Sequence, residues 1–281
     1  MRNNSERLGL ENKNTEESPL EVEAMAQTSD FSFIIPKHLV ELPSQGVFYP
    51  ENHPLRQNPV VEIKEITAKE EDIIVNKDYA KENSTVDRLL QSVLVSPKIS
   101  VEDLLPGDKA TMLFWLRIHS FGEDYPVSVA CPSCGTRHEE TYNLNDCITT
   151  QPFNTPEGCT LTQNNTFVYE LPKTKAKIEF RIANGKDEKE LEARLKKYDK
   201  HNVAYNRSSQ ELAMITVSVN GAPMDFAKVY DQIPATDLRA LRKKIRQATP
   251  TTEILTDFEC GSCGHEETTF LPITTKFFWP E

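Results

Sequence analysis

Several residue types that particular protein classes need are scarce in this chain of 281 residues. It contains 10 glycines and six cysteines, and its mean hydropathy is −0.52. No run approaches the roughly 18 consecutive apolar residues of a transmembrane helix, so we expect no membrane span. Six cysteines are too sparse for a disulfide-stabilised scaffold. With 32 basic against 43 acidic residues, the net charge of −11 opposes binding to a phosphate backbone.

Signatures of common enzymes and of secretion are also absent. The chain has no P-loop, no glycine-rich dinucleotide motif, no H-E-x-x-H and no G-x-S-x-G. The neighbouring acids Glu139 and Glu140 point to opposite faces of a strand, which does not make an acid/base pair. The sequence therefore predicts a protein without catalytic activity. The amino terminus lacks the apolar segment of a secretory signal, so we expect synthesis in the cytoplasm.

Four of the six cysteines are arranged as two C-x-x-C pairs, each followed by glycine. The pairs are Cys131-Pro-Ser-Cys134-Gly and Cys260-Gly-Ser-Cys263-Gly. A gap of two residues lets both thiolates of a pair reach one metal, and the glycine permits the positive φ of a tight turn. The sequence therefore predicts one structural Zn²⁺ held by Cys131, Cys134, Cys260 and Cys263. With four protein ligands the site has no position left for a substrate.

Each cysteine pair lies between two extended runs, which predicts a β-hairpin with the pair at its turn, the arrangement of a zinc ribbon. A thioredoxin-like redox motif would instead lie at a strand-to-helix turn, and free thiols or a disulfide are the remaining alternatives. More than a hundred residues separate Cys134 from Cys260, where a compact ribbon has roughly 15–20. A separate unit is therefore inserted between the hairpins.

Other candidate ligands are weaker than these four cysteines. His138 and His265 lie just beyond the two pairs and could replace a ligand, but such residues are typical of the surface of an outgoing strand. Cys147 and Cys159 have no partner at ligand spacing. We interpret both as small buried side chains.

The predicted fold class is α+β, with an N-terminal unit of short helices, a split Cys₄ zinc ribbon of two β-hairpins, and a small α+β insertion between the cysteine pairs. The predicted boundaries are a disordered acidic leader at 1–30, an arm and helical domain at 31–122, the split ribbon at 123–150 plus 251–281, and the inserted domain at 151–250.

Local signals place the elements within these units. A strand is predicted at 60–66, followed by three helices that begin at Thr67, with a capping box to Glu70, at Ser84 and at Asp108. In the insertion, alternation over 160–182 predicts a hairpin, and an Asn-Gly turn ends a strand that starts at Val217. The remaining helices are predicted at 186–199, 209–215, 225–232 and 236–247.

Two surfaces are candidate interfaces. The segment Leu238–Arg246 is basic, and its apolar residues repeat at helical spacing, so we expect its cations to face outward. This face is a solvated surface, a site for an acidic protein or a site for nucleic acid. The interface candidates there are Arg239, Arg242 and Lys243. The aromatic end, Phe277, Phe278 and Trp279, is either a protein interface or folded back on the core.

An ordered set of motifs resembles the baseplate hub assembly proteins of T-even-type tailed bacteriophages over roughly residues 39–281. The motifs are Leu42-Pro-Ser-Gln-Gly-Val-Phe-Tyr-Pro50, Thr67-Ala-Lys-Glu-Glu-Asp72, Leu104-Leu-Pro-Gly-Asp-Lys-Ala110, the Cys-Pro-Ser-Cys-Gly pair and Phe277-Phe-Trp-Pro280. Only the four cysteines transfer by motif, and the leader lies outside the resemblance.

The resemblance implies a structural or assembly protein of the contractile-tail baseplate hub, made in the host cytoplasm and incorporated in the virion tail or released after assembly. Its implied partners are other hub or tail proteins. The resemblance implies no enzymatic role for the chain itself. The residues alone also allow a zinc-ribbon nucleic-acid-binding or transcription accessory factor that uses the basic helix. The sequence leaves the oligomeric state open.

Overall fold

Short helices alternate with small antiparallel sheets along the chain, which confirms the predicted α+β class. The computed structural model describes residues 34–82, 84–273 and 277–278. Every helix and strand described belongs to one compact unit, Ile35–Glu281; of the other unit, Met1–Ile34, only Ile34 is described. The predicted leader at 1–30 lies outside the described residues, and the four predicted domain limits stay predictions.

The helices are α1 (Ala68–Val75), α2 (Lys77–Lys81), α3 (Thr85–Val93), α4 (Pro106–Phe121), α5 (Leu144–Cys147), α6 (Gly185–Lys200), α7 (Arg207–Ile215), α8 (Phe226–Val229) and α9 (Ala235–Ala248). Single 3-10 turns occur at Val101–Asp103 and Tyr230–Gln232. The strands are β1 (Lys37–Glu41), β2 (Val60–Lys64), β3 (Asp124–Ala130), β4 (Arg137–Asn143), β5 (Ile148–Gln151), β6 (Cys159–Leu161), β7 (Phe167–Glu170), β8 (Lys177–Phe180), β9 (Thr216–Val219), β10 (Thr251–Glu259) and β11 (Glu266–Phe270).

The N-terminal part is organised around α4, which lies against β1 and β10. Met112 and Leu116 on this helix are fully buried, as is Arg117. Strands β1 and β2 pair antiparallel beside it. The capping box at Thr67 and Glu70 is confirmed, because each accepts a hydrogen bond from the backbone of the other.

The prediction that Asp108 caps the third helix is wrong. The helix begins at Pro106, where proline's fixed φ suits the first helical position. Asp108 therefore lies inside the first turn, fully buried, and accepts hydrogen bonds from the Ser44 amide at 3.1 Å and the Tyr49 hydroxyl at 2.5 Å. Burial raises the pKa of Asp108 despite these hydrogen bonds. The short helix α2 was not predicted either.

Both predicted hairpins around the cysteine pairs are present. Strand β3 pairs with β4, and β10 pairs with β11, each antiparallel. The strand β5 was not predicted: it pairs with the first half of β10 and makes a three-stranded sheet in the order β11-β10-β5. The single-turn helix α5 connects β4 to β5, so the chain passes directly from one hairpin to the sheet of the other.

The inserted segment forms a four-stranded antiparallel sheet in the order β6-β7-β8-β9. Phe167 and Phe180 stack on it with ring centroids 5.4 Å apart, and both are fully buried. The predicted hairpin corresponds to β7 and β8, and the predicted Asn-Gly turn is confirmed at Asn220 and Gly221, which have φ values of 53° and 78°.

Polar contacts attach the insertion to the helical part. Lys189 on α6 forms ion pairs with Asp87 on α3 at 2.9 Å and with Glu102 at 3.0 Å. Gly107 on α4 lies against the connection between α9 and β10, because a Cβ atom added to this glycine would lie 2.1 Å from the Pro250 carbonyl oxygen.

Of the helices described, none is long and apolar enough to cross a bilayer.

Candidate metal centre

The turns of the two cysteine hairpins have the same backbone hydrogen bonds. In each, the amide of the first cysteine, Cys131 or Cys260, donates at 2.8 Å to the carbonyl five residues later. The glycine amide then donates back to the carbonyl of that first cysteine. Gly135 and Gly264 adopt φ values of 74° and 68°, a region that glycine enters without strain. Each C-x-x-C pair thus folds into the same turn.

The two turns bring all four predicted ligands together. Their Sγ atoms all lie within 4.8 Å of one another, and the Cys131–Cys263 and Cys134–Cys260 Sγ atoms are each 3.7 Å apart. Four Zn–S bonds of about 2.3 Å in a tetrahedron require sulfur atoms about 3.8 Å apart. The donor set therefore fits a tetrahedral thiolate site. All six cysteines are free, so neither pair is a disulfide.

The electrostatics of the cluster favour partial ionisation. Burial raises the pKa of Cys260, but the amides of Cys263 and Ser262 and the neighbouring thiols outweigh it and lower the value to about 6. The amide of His265 lowers the pKa of Cys263, but burial and the other thiols raise it to about 12. Neighbouring thiols thus cannot all ionise on their own. A bound cation removes this restriction because metals bind thiolates.

The two histidines beside the cysteine pairs differ in position. His138 is half-buried on β4, with Nε2 3.2 Å from Cys260 Sγ and its ring against Phe258. His265 instead places Nε2 3.2 Å from Glu267. His138 is therefore a neighbour of the sulfur cluster, whereas the sequence favoured the surface of the outgoing strand for both histidines and kept ligand replacement as the alternative. The contact crosses from one hairpin to the other, so only the fold brings it about.

The other two cysteines lie outside the cluster. Cys147 is buried at the end of α5, as predicted, and burial raises its pKa. Cys159 is only partly buried on β6, and burial raises its pKa too, while Lys244 acts in the opposite direction. Neither thiol belongs to the group of four.

The aromatic residues at the end of the chain are buried where the structure describes them. Phe277 is fully buried and Phe278 is 7% exposed. The ring of Phe277 meets Tyr125 edge-on at 5.2 Å, and the Arg117 guanidinium lies 5.8 Å from its centre. Both phenylalanines are thus folded back on the core, which was one of the two alternatives. Trp279 lies outside the described residues, and the interface role stays a prediction.

The basic interface candidates are placed differently. Arg239, Arg242 and Lys243 are exposed on α9, and the Arg242 guanidinium donates to the Tyr230 hydroxyl. These three residues lie on α9, and the four cysteines lie in the turns of the two hairpins.

Comparison with known proteins gives one match. The profile of a family described as T4 bacteriophage base plate protein matches residues 35–279, which is most of the chain. No curated protein and no solved structure matches the chain.

Proposed function

Because this chain belongs to the T4 bacteriophage base plate protein family, we propose that it acts in the baseplate hub or its assembly as a zinc-stabilised adaptor between other hub or tail proteins. Family membership supports partners within the baseplate or tail. The observation that carries the proposal is the meeting of four thiols from two hairpins that lie more than a hundred residues apart. Such a site holds distant segments in one arrangement.

The chemistry of the donor set supports zinc as the metal. Four thiolates suit Zn²⁺ or an iron–sulfur cluster, and single-metal Cys₄ sites are typical of structural zinc. All four positions would be filled by the protein, so the ion would stabilise the fold and leave no position for a substrate. Structural zinc contributes on the order of 10 kcal/mol of apparent binding free energy to folding.

The position of the site supports an adaptor. The first hairpin follows α4, and the second hairpin follows α9 of the insertion. Outside the cluster the same regions are joined by the Tyr125 hydroxyl, which donates to the Pro272 carbonyl at 2.6 Å, and by Thr111 and Thr252, whose hydroxyl oxygens are 2.6 Å apart. A metal at the turns would add a third connection and fix both regions as one surface.

We also propose that the protein is not an enzyme. The closed donor set supports this, since a catalytic zinc site keeps a position for water or substrate. The alternative, a nucleic-acid accessory factor, has support from the exposed cations of α9. The acidic balance of the chain opposes it, and salt-dependent binding of DNA or RNA would support it.

The proposal is tested by complementation of a phage that lacks its own copy of this gene. Wild-type protein is expected to restore baseplates, whereas the double variant Cys131→Ser, Cys263→Ser is expected to restore none. The matched control, Cys147→Ser with Cys159→Ser, removes two thiols outside the cluster and is expected to keep most activity. Normal baseplates with the cluster variant would contradict an adaptor that depends on the metal.

Two further measurements test whether the protein stays in the particle and whether it binds zinc. Mass spectrometry of purified particles distinguishes a permanent hub subunit, present in the particle, from an assembly factor, absent from it. Metal analysis of the purified protein is expected to give one zinc per chain. A protein without metal would overturn the zinc part of the proposal and leave the family membership intact.

A further inference from the structure

We propose that copies of this chain associate head to tail, with the exposed cations of α9 on one copy bound to the acidic cysteine hairpins of the next. This goes beyond the adaptor role and does not depend on which baseplate proteins are partners. Two surfaces of opposite charge on the same chain carry the inference.

The first surface is the basic strip, which we define as Arg239, Arg242, Lys243 and Arg246. These residues are spaced three and four apart, so they share one face of α9, and all four are exposed. In the part of the chain that the structure describes, none of them forms an ion pair with a carboxylate. The strip thus carries positive charge that the described fold does not neutralise.

The one carboxylate on α9 does not compensate the strip. Asp237 is buried and accepts hydrogen bonds at 2.9 Å from the amides of Lys173 and Thr174, and one at 2.7 Å from the Thr174 hydroxyl. Its charge is therefore directed into the 173–174 turn. Lys244 beside the strip also has a local role, since Nζ donates to the Glu157 carbonyl at 2.6 Å.

A second charged helix shows the usual alternative. Helix α6 carries six basic and five acidic residues, whereas α9 carries five basic and one acidic. Lys186 and Lys189 on α6 pair with acids of the helical part, and Arg194 pairs with Glu190 at 2.9 Å. The charges of α6 are thus close to balanced in number, whereas those of α9 are not.

A groove lies beside the strip, and Lys243 of the strip lines it. Its volume is about 480 Å³, and it is lined by polar groups that include Lys243 and Gln247 on α9, Gln151 at the end of β5, and Tyr169 on β7. The lining residues are mostly polar, so the groove suits a hydrophilic protruding element better than an apolar one. A β-hairpin rich in carboxylates has that character.

The second surface is the acidic hairpins, which we define as residues 124–143 and 251–270. They hold eight acidic residues and one arginine, and all eight acids are exposed. None of these acids pairs with a lysine or arginine among the described residues; His265 contacts Glu267. Glu259 lies directly opposite Glu266 across the strands, an arrangement of like charges that weakens a hairpin in isolation. A cationic surface laid against them would remove that repulsion.

Within one copy, the described residues form no ion pair between the strip and the acidic hairpins. Along the chain Glu253 lies closest to α9, and the turn of the second hairpin follows the nine residues of β10, which span about 30 Å. A second copy supplies the complementary charge at short range. Because the two surfaces differ, the contact repeats from copy to copy and forms a ring or a chain.

The test is sedimentation velocity of the full-length, metal-loaded protein in about 50 mM and about 500 mM salt. We expect concentration-dependent association at the lower salt and its loss at the higher. The strip variant is Arg239→Glu, Arg242→Glu, Lys243→Glu, and the hairpin variant is Glu139→Lys, Glu140→Lys, Glu267→Lys. Each alone is expected to weaken association about tenfold or more.

Mixing the two variants gives the decisive result, because each supplies the charge that the other has lost. Association is expected to return in the mixture. The control Lys196→Glu, Lys197→Glu, Lys200→Glu reverses three exposed cations of α6 and is expected to associate like the wild type.

Three results would overturn the proposal: a wild-type monomer at low salt, association that the strip variant retains, or a mixture that stays dissociated. A wild-type monomer that binds an oligonucleotide through the strip would assign the strip to nucleic acid and would likewise refute self-association. If a variant fails to fold, a wild type that stays monomeric at low salt still refutes the proposal.

Discussion

The turns that carry the cysteines and the region around α4 are stabilised in different ways. Residues 132–136 and 261–264 of the turns are exposed, so little apolar area is buried there. Around α4, by contrast, Leu116 and Phe277 are fully buried. The helical region is thus stabilised by burial of side chains, whereas the exposed turns would be held by the proposed metal. The comparison teaches that buried apolar area is distributed unevenly along one chain, and that the four thiols belong to turns where little of it is found.

The largest effect that we expect is on the turns. Removal of zinc by a chelator, or Cys131→Ser, is expected to lose a contribution on the order of 10 kcal/mol from metal binding. Hydrogen exchange should then increase in β4 and β11, while α4 keeps its protection. Cys159→Ser is the control, since it removes a thiol outside the cluster. Loss of protection in α4 together with β4 would show that the two regions are one cooperative unit.

The second effect concerns the core side of the comparison. Phe277→Ala is expected to lower the free energy of unfolding by about 3–5 kcal/mol, because a fully buried ring leaves a cavity. Denaturant unfolding of the zinc-loaded protein measures this. Phe270→Ala is the control: that ring is 63% exposed, and we expect a change within about 0.5 kcal/mol. An unchanged stability with lost baseplate assembly would instead favour the interface interpretation of Phe277.

The third effect is dependent on pH. Glu70 is fully buried; burial raises its pKa, but hydrogen bonds from Lys64, Ser92 and Thr67 outweigh this and lower it from 4.5 to about 2. A depressed pKa contributes stability above about pH 4.5, which is lost as the pH falls towards 2. Glu70→Gln is therefore expected to cost about 3 kcal/mol at pH 7 and much less at pH 2.

Chemical denaturation at a series of pH values checks this expectation. The control is Asp72→Asn on the same helix, an exposed acid whose loss is expected to change stability by about 0.5 kcal/mol or less. A cost for Glu70→Gln that stays constant between pH 7 and pH 2 would contradict the assigned pKa. It would also show that the hydrogen bonds of Glu70 do not depend on its charge.

Local patterns predicted the cluster because its determinants are local. The spacing within each C-x-x-C pair and the glycine after it specify a turn, and the likeness of the two turns indicated a shared metal. The capping box at Thr67 was predictable for the same reason, since its two groups are three residues apart. Helix and strand types followed from periodicity in most segments.

Contacts between distant residues were not predictable in this way. Asp108 matched a helix cap locally, but its carboxylate accepts from Tyr49, 59 residues away. The strand β5 is short and obtains its partner only when β10 arrives about a hundred residues later. His138 likewise acquires its place beside Cys260 only through the meeting of the hairpins. The local order of residue types along the chain does not show which distant segments come into contact.

The smallest effect that we expect sharpens the comparison within the sulfur cluster itself. His138→Gln removes a ring nitrogen 3.2 Å from Cys260 Sγ, and it is expected to weaken zinc binding about tenfold, because hydrogen bonds to a ligand tune the metal from outside. His265→Gln is the matched control, since that ring contacts Glu267 and should leave zinc affinity unchanged. Competition with a chromophoric chelator measures both affinities.

Cobalt substitution decides the role of His138: an unchanged sulfur-to-cobalt charge-transfer band in His138→Gln keeps the histidine outside the coordination sphere. A spectrum that changes from three sulfurs and one nitrogen to another set would make His138 a ligand and remove one cysteine from the predicted four.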